Sequence, residues 1–449
     1  MDTTTATNTG GSAGDAGNSA GDTAVLRVVP AGPGIAARAA RAAPGIAAAA
    51  QPSGGASAGH TGATAPAPAA AASAGAGART AEAAAGAGAG GGAGSGAGGG
   101  AAEAGAGSRP GGAVLWGRGE QQDFRSRVRG VLLGGALGDG YGRRGAVTAA
   151  TQLTMFTVDG LIRAHVRRDT GTWHPPTDVH RAYRRWYATQ HDWGPDERRE
   201  DNGWLGNEEW PYARRDPGRA CLTGFGDDTP ATLDRPKNPT ARDAAATERS
   251  APFGLLVGWE PALVLHLAVE CAVQSHGHPA AYLSAGAFAV IVHGLARGVS
   301  LDTAVRRALA LLTARPGHEP VTDALHRALT AVTGGEPGPG AVEALATATG
   351  TSRTAEDTLA AAVYCALVAE DVPHGLRLAA AGHAGPLCGA LLGALHGETA
   401  LPAAGLAELE GRALLLQLAD DLALELTQGP SLHGPAVTAS PWLTRYPRA

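Results

Sequence analysis

From Phe124 onward, apolar residues recur at three- and four-residue spacing, the period of one face of an α-helix. The pattern holds over Phe124–Leu137, Thr151–Val166, Trp259–Val273, Ala281–Ala296, Leu301–Thr313, Val321–Val332, Ala355–Ala369, Pro386–Leu395 and Leu406–Leu426. No run of alternating β-branched residues competes with it, so the spacing predicts an all-α fold. Small residues crowd several of these faces, as in Gly134-Gly135-Ala136 and Ala285-Gly286-Ala287, which lets helices pack closely. The most apolar stretch, Ala280–Ala296, is interrupted by His293 and reads as a core helix rather than a membrane span.

The periodicity begins only near Ala113. Residues 1–112 hold 28 of the 67 glycines and include AGAGAGGGAGSGAGGG. Such sequence offers little side-chain area to offset the entropy of ordering it, which predicts a disordered Ala/Gly-rich tail or tether. Prolines at 30, 33, 44, 52 and 66 interrupt any stacking of the alternating Ala and Gly. Residues 113–429 then form one helical domain of roughly 300 residues. Residues 430–449, with Pro430, Pro435, Pro441 and Pro447, are expected to be loosely held.

Charge narrows the partners. Lys and Arg total 36 against 41 Asp and Glu, and Lys237 is the only lysine, so the excess of cations that polyanion binding needs is missing. One segment, Val179–Arg219, interleaves Trp186, Trp193, Trp204 and Trp210 with eight arginines, but eight acidic residues sit among them. It reads as a structured excursion packed on the helical body, not as a nucleic-acid surface. The four cysteines, Cys221, Cys271, Cys365 and Cys388, stand singly and read as small buried hydrophobes in a reducing compartment. The start, Met-Asp-Thr-Thr-Thr, has no basic stretch followed by an apolar run, and the expected location is cytoplasmic, with no membrane partner.

Several blocks carry a specific resemblance. RGVLLGGALGDGYG from Arg129 is followed by GRRGAVTAATQLTMFTVDGLIRAHVR. Then come RPKNP, the long SAPFGLLVGWEPALVLHLAVECAVQSHGHPAAYLSAGAFAVIVHGLARG, AAVYCALVAEDVPHGLRLA, GPLCGALLGALHGETALPA and LEGRALLLQLADDLALEL. In this order, over Phe124–Leu426, they resemble the ADP-ribosylglycohydrolase family, of the dinitrogenase reductase-activating glycohydrolase type. The resemblance implies a compact multi-helix domain with a cleft holding two Mg²⁺ or Mn²⁺ ions. It implies hydrolysis of the N- or O-glycosidic bond joining ADP-ribose to a protein side chain.

The motifs that would hold the metals depart from the family. Two hard cations need several carboxylate and hydroxyl oxygens. Where the family has Thr-Asp-Asp before Thr-Gln-Met/Leu-Thr, this chain has Thr148-Ala149-Ala150-Thr151-Gln152-Leu153-Thr154. Where it has a Gly-Asp-Ser-Asp loop, between Leu378 and Leu387, the chain reads Ala-Ala-Ala-Gly-His-Ala-Gly-Pro. The Gly/Cys-rich turn expected after Asn238-Pro239 is replaced by Thr240–Arg249, whose Ala244-Ala245-Ala246 run is a helix former. Asp139-Gly140-Tyr141 also runs almost directly into Gly142-Arg143-Arg144, without the acidic insertion common there.

These losses predict a family homologue without its di-metal carboxylates: a pseudoenzyme with a binding or scaffold role, and no cofactor. ADP-ribose or a protein partner would meet the cleft or the tail, and the oligomeric state stays open. The alternative is an active hydrolase of ADP-ribosyl bonds with a rebuilt site. Its candidates are Asp139 for catalysis, Thr148, Thr151, Asn238 and His383 for ligand contact, and Thr148, Asp227 and Asp228 for metal. His276 and His278 read as core or capping residues, Gln152 and Met155 as packing or orienting residues, and Asp420-Asp421 as the solvated face of the last helix.

Overall fold

A computed structural model describes residues 116–168, 174–196, 203–350, 353–428 and 444–447. The tail predicted over 1–112 and most of 430–449 lie outside these residues. The described part holds fifteen α-helices and short 3₁₀ turns, with no strand beyond two isolated bridges. The helices are α1 Arg118–Asp139, α2 Ala149–Val166, α3 Pro175–Thr189, α4 Arg219–Phe225, α5 Ala245–Glu248, α6 Pro261–Ala272, α7 Pro279–Ala296 and α8 Leu301–Leu312. They continue with α9 Glu319–Ala331, α10 Pro339–Ala346, α11 Ala355–Val368, α12 Val372–Ala381, α13 Gly385–His396, α14 Ala403–Glu408 and α15 Arg412–Gln428.

Helix α7 is the centre of the core. By length and composition it is the one described helix able to cross a membrane, yet 89% of it is buried inside the fold. Its start is set by Pro279 at the first position and by His278, whose Nδ1 accepts the Ala280 amide at 3.2 Å. All four cysteines are free and buried.

Helices α1 and α13 meet along a seam of glycines four residues apart. Gly130, Gly134 and Gly138 face Gly393, Gly389 and Gly385, and a Cβ built on any of the six would overlap a backbone carbonyl of its opposite number. Spacing by four keeps all three on one helix face, so the two backbones touch over two full turns. The last pair, Gly138 and Gly385, brings the end of α1 against the start of α13.

The Trp-rich excursion packs as expected in part. Trp186 and Tyr183 on α3 are fully buried, and Trp186 Nε1 donates to Gln152 Oε1 of α2 at 3.1 Å. Gln152 also donates to the Ala213 carbonyl at 3.0 Å, so one amide ties both ends of the excursion to the body. Trp193 is fully exposed.

Two expectations are corrected. The run Leu406–Leu426 is not one helix: it breaks between α14 and α15 at Gly411, which has φ +69° and would place a Cβ 2.7 Å from the Trp210 ring. The excursion therefore sets the break, which periodicity alone does not show. Nor is Asp420-Asp421 a solvated face. Asp421 is 1% exposed, bonded by Arg445 at 2.8 Å and by the Tyr446 hydroxyl at 3.0 Å, and Tyr446 is itself buried. Asp420 pairs with Arg125 and Arg129 of α1.

The seam makes a stability prediction. Gly134→Ala or Gly389→Ala forces the two helices apart and should cost about 3 kcal/mol, the upper end for overpacking. Gly119→Ala, with nothing within 4 Å of its added methyl, should change stability by less than about 1 kcal/mol. Urea unfolding of the three variants checks the contrast.

Candidate functional site

The glycine seam ends in a cavity of about 360 Å³. Its floor is Gly138 and Gly385, and its walls come from the end of α1, the start of α2, the 216–221 segment, α5 with the residues before it, Arg353, and the turn before α13.

Asp139 closes α1 and is 8% exposed. Its carboxylate accepts from Thr148 N and Thr148 Oγ1, both at 2.7 Å, from Thr151 Oγ1 at 2.7 Å, and from Thr151 N at 3.3 Å. Thr148 Oγ1 in turn accepts the Ala150 amide at 3.2 Å. An anion beside the first turn of a helix satisfies its free amides and complements its dipole. Asp139, Thr148 and Thr151 thus form a capping unit that joins α1 to α2, with their polar atoms turned toward one another.

The other candidates divide. His383 lines the cavity, is exposed, and adopts φ +53°. Asn238 does not line it. Its Nδ2 donates to the carbonyls of Ala220 at 3.0 Å and Ser275 at 2.9 Å, and Thr223 Oγ1 donates to its Oδ1 at 3.1 Å. Asp227 pairs with Lys237 and Asp228 with Arg184, away from the cavity. Neither joins Thr148 in a metal site.

Metal fit can be judged from the donors present. Ala149 and Ala150 present methyl groups to the cavity, and the facing turn contributes Ala380, His383, Gly385 and Pro386. Thr148 Oγ1 is already engaged. Among the described residues no group of three or more His, Cys, Asp or Glu is placed to hold a metal ion. Hard divalent cations require oxygen ligands with negative charge, and the residues at these two positions do not fit a pair of them.

The cavity nevertheless holds carboxylates that sequence reasoning passed over: Asp216, Asp243 and Glu248, with Arg143 and Arg353 beside them. Asp243 and Glu248 bracket the Ala run and lay in plain view, but as a replaced turn they carried no family signal. Asp243 is held from behind. Arg249 Nη2 donates to Ser275 Oγ at 2.7 Å, Ser275 Oγ lies 2.7 Å from His276 Nδ1, and His276 Nε2 lies 2.9 Å from Asp243 Oδ1. Since the Asp243 carboxylate can only accept, a neutral imidazole carries its proton on Nε2, and Nδ1 accepts the Ser275 proton while Ser275 Oγ accepts from Arg249. Arg249, Ser275 and His276 are buried, and Arg249 stacks over Tyr183 and Phe225. Burial lowers the His276 pKa, keeping the ring neutral. At Asp243, burial is the largest single effect and works to raise the pKa, but His276, the Ala245 amide and the Arg249 charge together outweigh it and bring the pKa down to about 2.

Glu248 is the opposite case. Among the described residues nothing donates a hydrogen bond to its carboxyl, and burial, followed by the charge of Asp139, pushes its pKa up to about 7 against the partial opposition of Arg353. Among the described residues five non-glycine positions have positive φ, and three of them, Asp216, Arg353 and His383, line this one cavity. Backbone held in that region costs energy and concentrates where structure serves a site.

A family model described as ADP-ribosylglycohydrolase matches residues 120–431. Among solved structures, a chain titled "ADP-ribosylglycohydrolase-related protein complex" is 22% identical with a TM-score of 0.47, covering 69% of this chain and 99% of its own. No curated protein matches the chain.

Two outcomes test this geometry. Asp139→Ala leaves the amides at the start of α2 uncapped and should lower unfolding free energy by about 2 kcal/mol. Because the Glu248 pKa rises from 4.5 to about 7 on folding, its contribution is fully present below pH 4.5 and is lost as pH rises through 7. Glu248→Gln should remove that decline, so the melting-temperature gain over wild type grows between pH 5 and pH 8.

Proposed function

The chain belongs to the ADP-ribosylglycohydrolase family, and we propose that within it this member has left metal-dependent turnover and uses its cleft to bind an ADP-ribosyl ligand without metal. The observation that carries this reading is the lining of the cavity: methyl groups at Ala149 and Ala150 on one wall, and a turn without side-chain oxygens on the other. Losing an outer-shell partner already costs 10–100-fold in metal affinity, and here the ligating groups themselves are replaced. What persists is a polar, built cavity at the end of the glycine seam.

A second reading, metal-free hydrolysis, has one observation in its favour. Glu248 and Asp243 line one cavity with pKa values near 7 and 2. A carboxyl poised to give a proton near an ionised carboxylate is the division of labour used in acid–base glycoside cleavage. Asp139, Thr148, Asp227 and Asp228 have no part in it.

Titrating ADP-ribose into the full chain by calorimetry, with EDTA and with millimolar Mg²⁺, tests the proposal. Equal binding in the two conditions, with no release of product from an ADP-ribosylated peptide, is expected. Binding that requires Mg²⁺ would overturn it, and turnover in EDTA would favour the second reading. The double variant Ala149→Asp/Ala150→Asp should stay inactive in Mg²⁺, because the facing turn still supplies no carboxylate.

A further inference from the structure

A second cavity, of about 320 Å³, lies on the other side of the turn that follows α1. It shares only Tyr141 with the cavity at the end of the glycine seam. Two neighbouring arginines divide between them: Arg143 lines the seam cavity and Arg144 the second. The turn itself is fixed. The Arg143 amide donates to the Gly140 carbonyl at 2.9 Å, and the Glu410 amide donates to the Gly145 carbonyl at 3.1 Å. Gly145, at φ +76°, packs so closely on the end of α14 that an added Cβ would lie 2.2 Å from the Glu408 carbonyl oxygen. Arg144 holds φ +55° without being glycine, a backbone conformation that costs energy and is found where structure serves a site.

The lining has an apolar part and a charged part. Leu137 of α1, Leu376 of α12 and Leu409 after α14 are each no more than 7% exposed, and with Pro373 and Pro402 they form the walls. The charged part is Arg144, Arg377 and Glu408, all exposed. Among the described residues neither Arg144 nor Arg377 is paired with a carboxylate, whereas Arg125 and Arg129 share Asp420. Two guanidiniums against one carboxylate leave a single positive charge beside a leucine-lined space. Pockets for small molecules hold about 300–1,000 Å³ and combine apolar walls with a few orienting polar groups. A guanidinium meets a carboxylate with paired, charge-assisted hydrogen bonds. Glu408 stands against a dianion, such as a phosphate monoester, because like charges repel.

We propose that this cavity binds a small organic monocarboxylate with an apolar body. Arg144 and Arg377 hold the carboxylate, and the hydrocarbon lies against Leu137, Leu376 and Leu409. The site is separate from the seam cavity and does not depend on what that cavity binds.

The test is a ligand-observed NMR titration of the full chain with hydrocinnamate, with hydrocinnamyl alcohol, acetate and phenyl phosphate as comparison ligands. Hydrocinnamate should bind, and the alcohol about tenfold or more weakly, having lost its hydrogen bonds to charged groups. Acetate, with no body for the leucines, should also bind about tenfold or more weakly. Arg144→Gln and Arg377→Gln should each weaken hydrocinnamate about tenfold. Both side chains are exposed, so the melting temperature should stay within a few degrees of wild type. Arg143→Gln, across the turn, locates the site and should bind hydrocinnamate as wild type does. Absence of binding, or hydrocinnamate binding no better than the alcohol or acetate, would overturn the proposal. So would tighter binding of phenyl phosphate, or a loss in Arg143→Gln without a loss in the Arg144 and Arg377 variants.

Discussion

The seam between α1 and α13 is the constraint on which the rest of the site depends. Six glycines remove the side chains that would hold two helices at ordinary separation, and their backbones come into direct contact. The consequence is positional. The C-terminal end of α1, carrying Asp139, is fixed against the turn that opens α13, carrying His383, Gly385 and Pro386. The family resemblance puts its two metal-ligand runs at the start of α2, which Asp139 caps, and in the turn before α13, so the seam determines where a cleft must be whatever lines it.

Asp139 has a structural role of its own. With four hydrogen bonds from Thr148 and Thr151, it is the cap of α2 and the joint between the first two long helices. An alanine there would expose the same amides that Ala149 and Ala150 never touched. Alanine at 149 and 150 costs the fold nothing, since a methyl group facing a cavity leaves no polar atom unsatisfied.

The fold was largely legible in the sequence and the site only partly. Apolar residues at three- and four-residue spacing marked α1, α2, α6, α7, α8, α9, α11 and α13, some with one apolar face and α7 buried all round, and the block order gave the family. The short helices α4, α5 and α14 are too brief to show a period, and the break at Gly411 depends on Trp210, two hundred residues earlier in the chain. At the site, what could be read was loss: Ala149, Ala150 and the oxygen-poor turn were visible against a known pattern. Gain was not. Asp243 and Glu248 stand in a segment without a template, and their significance comes from His276, which reaches Asp243 only after α6 and the SHGHP turn fold back on α5.

That gain bears on whether the cleft is a relic. A cavity with no further use would be cheapest to line with apolar or hydrogen-bonded groups, since an unpartnered carboxyl among other carboxylates destabilises the folded state. Glu248 is such a group, opposed by Asp139, Asp243 and Asp216 and only partly offset by Arg353. Asp243 is backed by three buried side chains whose mutual hydrogen bonds end at the cavity wall rather than within the core. Around them Asp216, Arg353 and His383 hold left-handed backbone without the relief that glycine would give. Asp243 also serves the fold, since its Oδ1 meets the buried His276 ring and the Ala245 amide, but the Glu248 carboxyl has no such partner among the described residues. A strained and charged cavity lining is the pattern expected of a site shaped for a ligand.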